Sequence, residues 1–243
     1  MERGVIKDRP PFFTPWSDFV PDKRNRDKRF RQVKMKVHFI RAKQKVQKNQ
    51  KGEKKMGFLA ELDGNVLLWL QEYIRQEWMH GFWKAVTSLG DSGIFWIALS
   101  LLLLIPKPTR RIGITALAAL AIGALITNVV LKHIIARTRP YEVIDGLILL
   151  IEKQSDFSFP SGHTCASFAA AGVYWRMMPK KYGIPLLILA VLIAFSRLYV
   201  GVHYPSDVLG GLLAGLFAAW AAWHIQKILA ERKQVSQKPD QEE

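Results

Sequence analysis

The feature that most limits what this chain can become is Ile112–Leu131, twenty consecutive residues without a charge. About 20 mostly apolar residues make a helix long enough to cross the hydrocarbon of a bilayer. In lipid only a helix or a closed barrel satisfies its own backbone. Four more apolar segments accompany it: Ile94–Ile105, Thr164–Met178, Ile184–Val202 and Val208–Ile225. The last two approach spanning length. The first two are short, so they must borrow polar flanks or be shielded by neighbouring helices. The pattern predicts an all-α, polytopic membrane bundle with five spans. Ahead of it, Phe58–Trp78 is amphipathic at helical spacing. Leu62, Val66, Leu70, Tyr73 and Ile74 fall on one side, while Glu61, Gln71, Glu72, Arg75 and Glu77 interrupt any span. This segment is expected to lie in the membrane interface, anchored by Trp69 and Trp78.

Charge divides the chain further. The formal charge is +15, but residues 1–55 hold 18 Lys/Arg against 6 Asp/Glu, leaving 17 against 14 for the other 188 residues. The division predicts a basic, disordered extension over 1–55, a membrane domain over 56–230 and a polar tail over 231–243. The extension has neither the apolar run of a signal peptide nor a base-reading motif, so no nucleic-acid partner is expected. A lone cysteine, Cys165, excludes an intrachain disulfide and a Cys-rich metal centre, and it reads as a small packing residue.

Basic residues orient the spans. Lys107, Arg110 and Arg111, then Arg176, Lys180 and Lys181, then Lys227, Arg232 and Lys233 occupy three connections of the same parity. The positive-inside rule makes these cytoplasmic. The long connection 132–163 and the turn 203–207 are then extracytoplasmic. With an interfacial first helix, the basic extension would also lie outside, against the rule. Either Phe58–Trp78 is a sixth span, or the native chain starts at Met56; the second is the favoured expectation. Gly211 and Gly215 form a small-xxx-small pattern suited to close helix packing.

Three polar clusters share the extracytoplasmic face. Lys132 and Arg139-Pro140 follow the uncharged run; a continuing helix would put both cations on one face, with Pro140 marking its end. Alone, either cation reads as a side chain snorkelling to headgroups. Pro160-Ser161-Gly162-His163 opens the next apolar segment, where the free N–H groups of a helix start suit an anion, although a plain Ser/Gly cap looks the same. Ser196-Arg197-x5-His203-x3-Asp207 links the last two segments. Arg197 lies in an apolar stretch, where an ionisable residue is costly, and a carboxylate near an imidazole can orient it. Three cations with helix-start amides match a phosphate dianion. Two histidines offer a nucleophile and a proton donor. A metal is a poor fit beside so many cations. His133 should point away from the cluster, His38, His80 and His224 have no evident role, and Tyr199 and Tyr204 are expected to border a lipid entrance.

The order and spacing of these clusters resemble the three-part signature of the type 2 phosphatidic acid phosphatase (PAP2) superfamily, over about 57–227. The resemblance implies the family's helical core of six spans and a metal-independent membrane phosphatase with no cofactor. His203 would be the nucleophile and Asp207 would hold its ring. His163 would protonate the leaving oxygen and then activate water. Lys132, Arg139, Ser161, Gly162 and Arg197 would bind the phosphoryl oxygens. The implied partners are the bilayer and a lipid phosphate or diphosphate, of the undecaprenyl diphosphate, phosphatidylglycerophosphate or phosphatidate type. The signature reads phosphate rather than lipid. A phosphotransferase with the same site, a vanadate-dependent haloperoxidase and a non-catalytic lipid-binding protein are the rivals. The spans oppose the haloperoxidase, and the acid–nucleophile pair opposes the lipid-binding protein.

Overall fold

A computed structural model describes residues 58–235; the basic extension with His38, and the last residues of the tail, lie outside the described residues. The described chain is helical and holds no strand. In order come α1 (Phe58–Tyr73), α2 (His80–Ser88), α3 (Ile94–Leu102) and α4 (Arg110–Ala124). A π-helical stretch, Leu125–Leu131, leads into the single turn α5 (Lys132–Ile135). After α6 (Pro140–Val143) follow α7 (Gly162–Met177), α8 (Lys180–Tyr199) and α9 (Pro205–Val235). Three helical stretches are long and apolar enough to cross a membrane: 110–143, 180–199 and 205–232. A fourth arises if the pair 77–88 and 91–102, bent by 41°, counts as one span.

The alanine-rich helix α7 is the hub. Ala169, Ala170 and Ala171 are fully buried, and α4, α8 and α9 pack around them. This is how a 16-residue helix stays out of lipid, in line with the shielding expected for Thr164–Met178. Contact with α9 is closest at the two glycines of the small-xxx-small pattern. A Cβ on Gly211 would lie 2.5 Å from the Ser161 carbonyl oxygen, and one on Gly215 would lie 2.5 Å from that of Cys165. Hydrogen bonds from α3 complete the hub: Trp96 Nε1 donates to Ser167 Oγ at 3.0 Å, and the Ser100 and Tyr174 hydroxyls meet at 2.7 Å. Cys165 is buried here, as its packing role requires.

Two local expectations need correction. Pro140 does not end a helix that began in the uncharged run. The chain leaves the helix earlier, at Ala136 (φ 47°), and Pro140 starts α6. A proline fits the first helical turn, where its missing N–H is not needed, and it holds the residue before it extended. Arg139 accordingly has φ −76° and ψ 151°. Lys132 and Arg139 therefore meet across a break rather than along one helix face. The second correction concerns the first amphipathic segment. Its helix stops at Tyr73, and Trp78 belongs to a separate turn, Glu77–Met79. Its buried face runs through Asp63, Leu67 and Leu70, whereas Leu62 and Tyr73 are exposed. The helix is rotated because Asp63 turns inward to polar partners.

Candidate active site

The third cluster forms first, from the junction of α8 and α9. The turn is compact enough that Val200, Val202, His203 and Tyr204 are all buried, with Gly201 at φ 82° closing it. Asp207, in the first turn of α9, is wholly buried and fully engaged. Its Oδ1 accepts from Arg137 at 2.7 Å. Its Oδ2 accepts from the Tyr204 N–H at 2.9 Å and from the Ser158 hydroxyl. The same Oδ2 stands 3.6 Å from His203 Nδ1, which is buried without a hydrogen-bond partner among the described residues. Asp207 thus faces the Nδ1 edge of the ring and leaves Nε2 for chemistry.

Around this pair gather the cations of the other clusters. Arg139, buried, donates to the Val202 carbonyl at 2.9 Å and to the Asp156 backbone carbonyl at 2.9 Å. Arg139 and Lys132 both close on the Asp156 carboxylate. Partial burial would push that carboxyl up, but the hydrogen bonds and charges of Lys132 and Arg139 outweigh it and hold it down at about 2. Arg197, buried in the last turn of α8, donates to Thr87 Oγ1 at 2.6 Å, while its Nε has no partner among the described residues.

The second cluster arrives at the start of α7. Ser161 caps the helix, its Oγ accepting from the Thr164 N–H at 3.4 Å. The Ser161 N–H is not free for an anion, because it donates to the Asp207 backbone carbonyl at 3.0 Å. The cap therefore stitches the second cluster to the third, and the helix-start amides left for an anion are those of Gly162 and His163. Gly162 lies against Lys132: a Cβ there would sit 3.8 Å from the ammonium nitrogen. His163 meets a group from outside the signature, its Nε2 lying 2.9 Å from Asp91 Oδ1.

All eight residues singled out in the sequence, Lys132, Arg139, Ser161, Gly162, His163, Arg197, His203 and Asp207, thus come together at one end of the bundle. His133 is exposed and turned away, as expected. Tyr199 and Tyr204 do not border an opening. Tyr199 is buried against Trp83 with its hydroxyl on the Gln76 carbonyl, and Tyr204 lies under the Arg137 guanidinium. Aromatic faces this large gain more from burial than from a wet rim. Among the described residues no three His, Cys, Asp or Glu side chains gather as metal ligands would.

Nothing in the sequence marks Asp63, Thr87, Asp91, Arg137, Asp156 or Ser158 as part of the site. Arg137 also donates to Asp63 Oδ2 at 2.7 Å and to Ser206 Oγ at 2.6 Å, and Asp63 Oδ1 accepts the Ser206 N–H at 3.0 Å. These partners lie far apart in sequence, and none carries a local signal.

A helical membrane protein whose buried cations surround a paired histidine and carboxylate is the class that fold and site define. Known proteins agree. The PAP2 superfamily pattern matches residues 112–230. The undecaprenyl-diphosphatase of Sulfolobus acidocaldarius is 35% identical over 175 residues, which is 72% of this chain and 82% of that protein. The chain belongs to the PAP2 superfamily. The fold is shared with a PAP2-type phosphatidylglycerolphosphate phosphatase from Bacillus subtilis, at a TM-score of 0.58 and 24% identity over 81% of this chain and 96% of that one. Aquifex aeolicus LpxE superimposes with a TM-score of 0.60 at 25% identity, over 70% of this chain and 96% of that one.

Proposed function

We propose that this protein is an integral-membrane phosphatase that hydrolyses the phosphomonoester or diphosphate of a lipid through a phosphohistidine on His203. The observation that carries this reading is the meeting of Lys132, Arg139 and Arg197 around the buried His203–Asp207 pair. Phosphoryl transfer needs positioning and charge stabilisation more than covalent help from the protein. Three cations, the Gly162 and His163 amides and the Ser161 hydroxyl supply that charge stabilisation without a metal ion. His203 Nε2 attacks phosphorus as the bond to the leaving oxygen breaks, and His163 hands that oxygen a proton. His163 then takes a proton from water, whose oxygen attacks the phosphohistidine; the P–N bond breaks and inorganic phosphate leaves. Asp207 keeps the His203 ring aimed throughout.

The substrate's phosphate enters from the extracytoplasmic face while its tails stay in lipid. An isoprenoid diphosphate is favoured, because a relative 35% identical over 175 residues is an undecaprenyl-diphosphatase. We read five spans: the bent pair α2–α3, then α4–α5, α7, α8 and α9. Helix α1 lies flat in the interface at the site end. Its contacts support this, since Asp63 near one end reaches Ser206, while Gln71 and the adjoining Arg75 near the other reach Gly146 and Ile148 in the loop beside the site. A spanning helix would carry those two ends to different depths. Its exposed Leu59, Leu62, Trp69 and Tyr73 suit headgroups and the upper acyl chains.

The test is phosphate release by purified protein in detergent, with undecaprenyl diphosphate, phosphatidylglycerophosphate and phosphatidate compared. Radiolabelled phosphate should become bound to the wild type in acid-labile form and not to His203→Ala, which should also lose turnover. Release at the wild-type rate from His203→Ala would sink the nucleophile assignment.

A further inference from the structure

The segment joining α2 to α3 forms a wall of the site that the three-part signature does not contain. Thr87, near the end of α2, holds Arg197 at 2.6 Å. Three residues later the backbone lies against His163: a Cβ on Gly90 would come within 2.6 Å of the ring's Cδ2 and 3.3 Å of its Cγ. Asp91 then places Oδ1 2.9 Å from Nε2 of the same ring. The turn is fixed by two successive left-handed residues, Ser92 (φ 51°) and Gly93 (φ 66°). A serine rarely takes that conformation, so the turn has a defined shape rather than a free one.

We propose that Asp91 is a positioning residue for His163 in the phosphatase reaction, an inference that rests on the function proposed above. A carboxylate on one imidazole nitrogen fixes the ring's orientation and tautomer. With the Nε2–H held by Asp91, Nδ1 is the nitrogen left to exchange protons with substrate. It gives its proton to the leaving oxygen as the P–O bond breaks and later takes one from the attacking water. Asp91 also sets a negative charge against a ring that otherwise meets the cations Lys132 and Arg197. Its carboxylate is 62% exposed, so the pair adds little to folding stability. The contact is therefore better explained by function than by fold.

A positioning role for a proton donor predicts dependence on the leaving group. Asp91→Asn should lower hydrolysis of phosphatidate, whose alkoxide needs a proton, by about 10–100-fold. It should leave the single-turnover release of 4-nitrophenolate from 4-nitrophenyl phosphate, a leaving group that needs little protonation, within a few fold of wild type, because that step precedes the attack of water on the phosphohistidine. Asp91→Glu, which keeps the carboxylate, should recover part of the phosphatidate rate, and both variants should melt close to wild type. An equal fall in the single-turnover release of both leaving groups, a large drop in melting temperature, or unchanged phosphatidate hydrolysis would each overturn the role. Wild-type protein inert toward every lipid phosphate and toward 4-nitrophenyl phosphate would overturn the phosphatase reading and this inference with it.

Discussion

Arg137 donates to Asp207 Oδ1 at 2.7 Å and so fastens the carboxylate that faces His203. The other arm of the guanidinium reaches Asp63 in α1, also at 2.7 Å. A planar fork can span two carboxylates in this way, and an ammonium cannot do so with the same geometry. Arg137→Ala should lower kcat by about 10–100-fold, in the range found when a residue orienting a reactive group is removed. It leaves two buried carboxylates without their cation, a loss that costs about 3–5 kcal/mol for a fully buried pair and less here, where Arg137 is partly exposed. Thermal unfolding in detergent should show the drop. Full activity and stability in Arg137→Lys would refute the fork argument.

Asp156 occupies the cations that a phosphoryl group would use. Its carboxylate bridges Lys132 and Arg139, although it is about half exposed. Asp156→Asn should therefore strengthen competitive inhibition by inorganic phosphate, on the order of tenfold for one charge-assisted contact no longer competing. Weaker inhibition in the variant would mean that Asp156 holds the cations in place for substrate instead.

The same group sets an acid limit. Its folded value of about 2 lies below the ordinary 3.8, so the clamp contributes stability above pH 3.8 and loses it as the pH falls through about 2. Wild type and Asp156→Asn should differ by a constant melting temperature between about pH 7 and pH 5, and that difference should shrink only in stronger acid. A difference that vanishes by pH 5 would contradict the clamp.

Gly211 admits no side chain. A Cβ there would stand 2.5 Å from the Ser161 carbonyl, whose residue caps α7 and tethers Asp207. Gly211→Val should destabilise the bundle by about 1–3 kcal/mol or more, since neither backbone can yield easily. It should lower turnover as well, because the second and third clusters move apart. The melting temperature and the rate of phosphate release check both, and wild-type values for the pair would refute the packing.

Phosphate release should survive EDTA, because side-chain cations and helix-start amides supply the charge that a divalent ion supplies elsewhere. Complete loss, restored only by adding back a divalent ion, would count against the cationic mechanism.

Much of the site could be read along the chain because its chemistry is concentrated in short stretches. Lys132 with Arg139, Ser161 with His163, and Arg197 with His203 and Asp207 each sit within a dozen residues. Each also flanks or interrupts an apolar segment, where polar side chains stand out against lipid-compatible surroundings. The apolar segments in turn mark helices, and the paired glycines of α9 mark a close contact with α7. The route from Lys132 to Arg139 is not legible in the same way, since seven-residue spacing describes an unbroken helix and the proline acts at a start instead of an end.

By itself, then, the sequence determined that this chain is a helical membrane protein with three polar clusters at one face, because hydrophobic length and local residue order are properties of a single segment. Only the tertiary structure decided what those clusters lean on: Asp63 and Arg137 behind Asp207, Thr87 behind Arg197, Asp91 beside His163 and Asp156 across Lys132 and Arg139. A polar side chain finds such partners through packing of helices far apart in the chain, and a carboxylate in a loop looks the same in sequence whether it meets water or a buried cation.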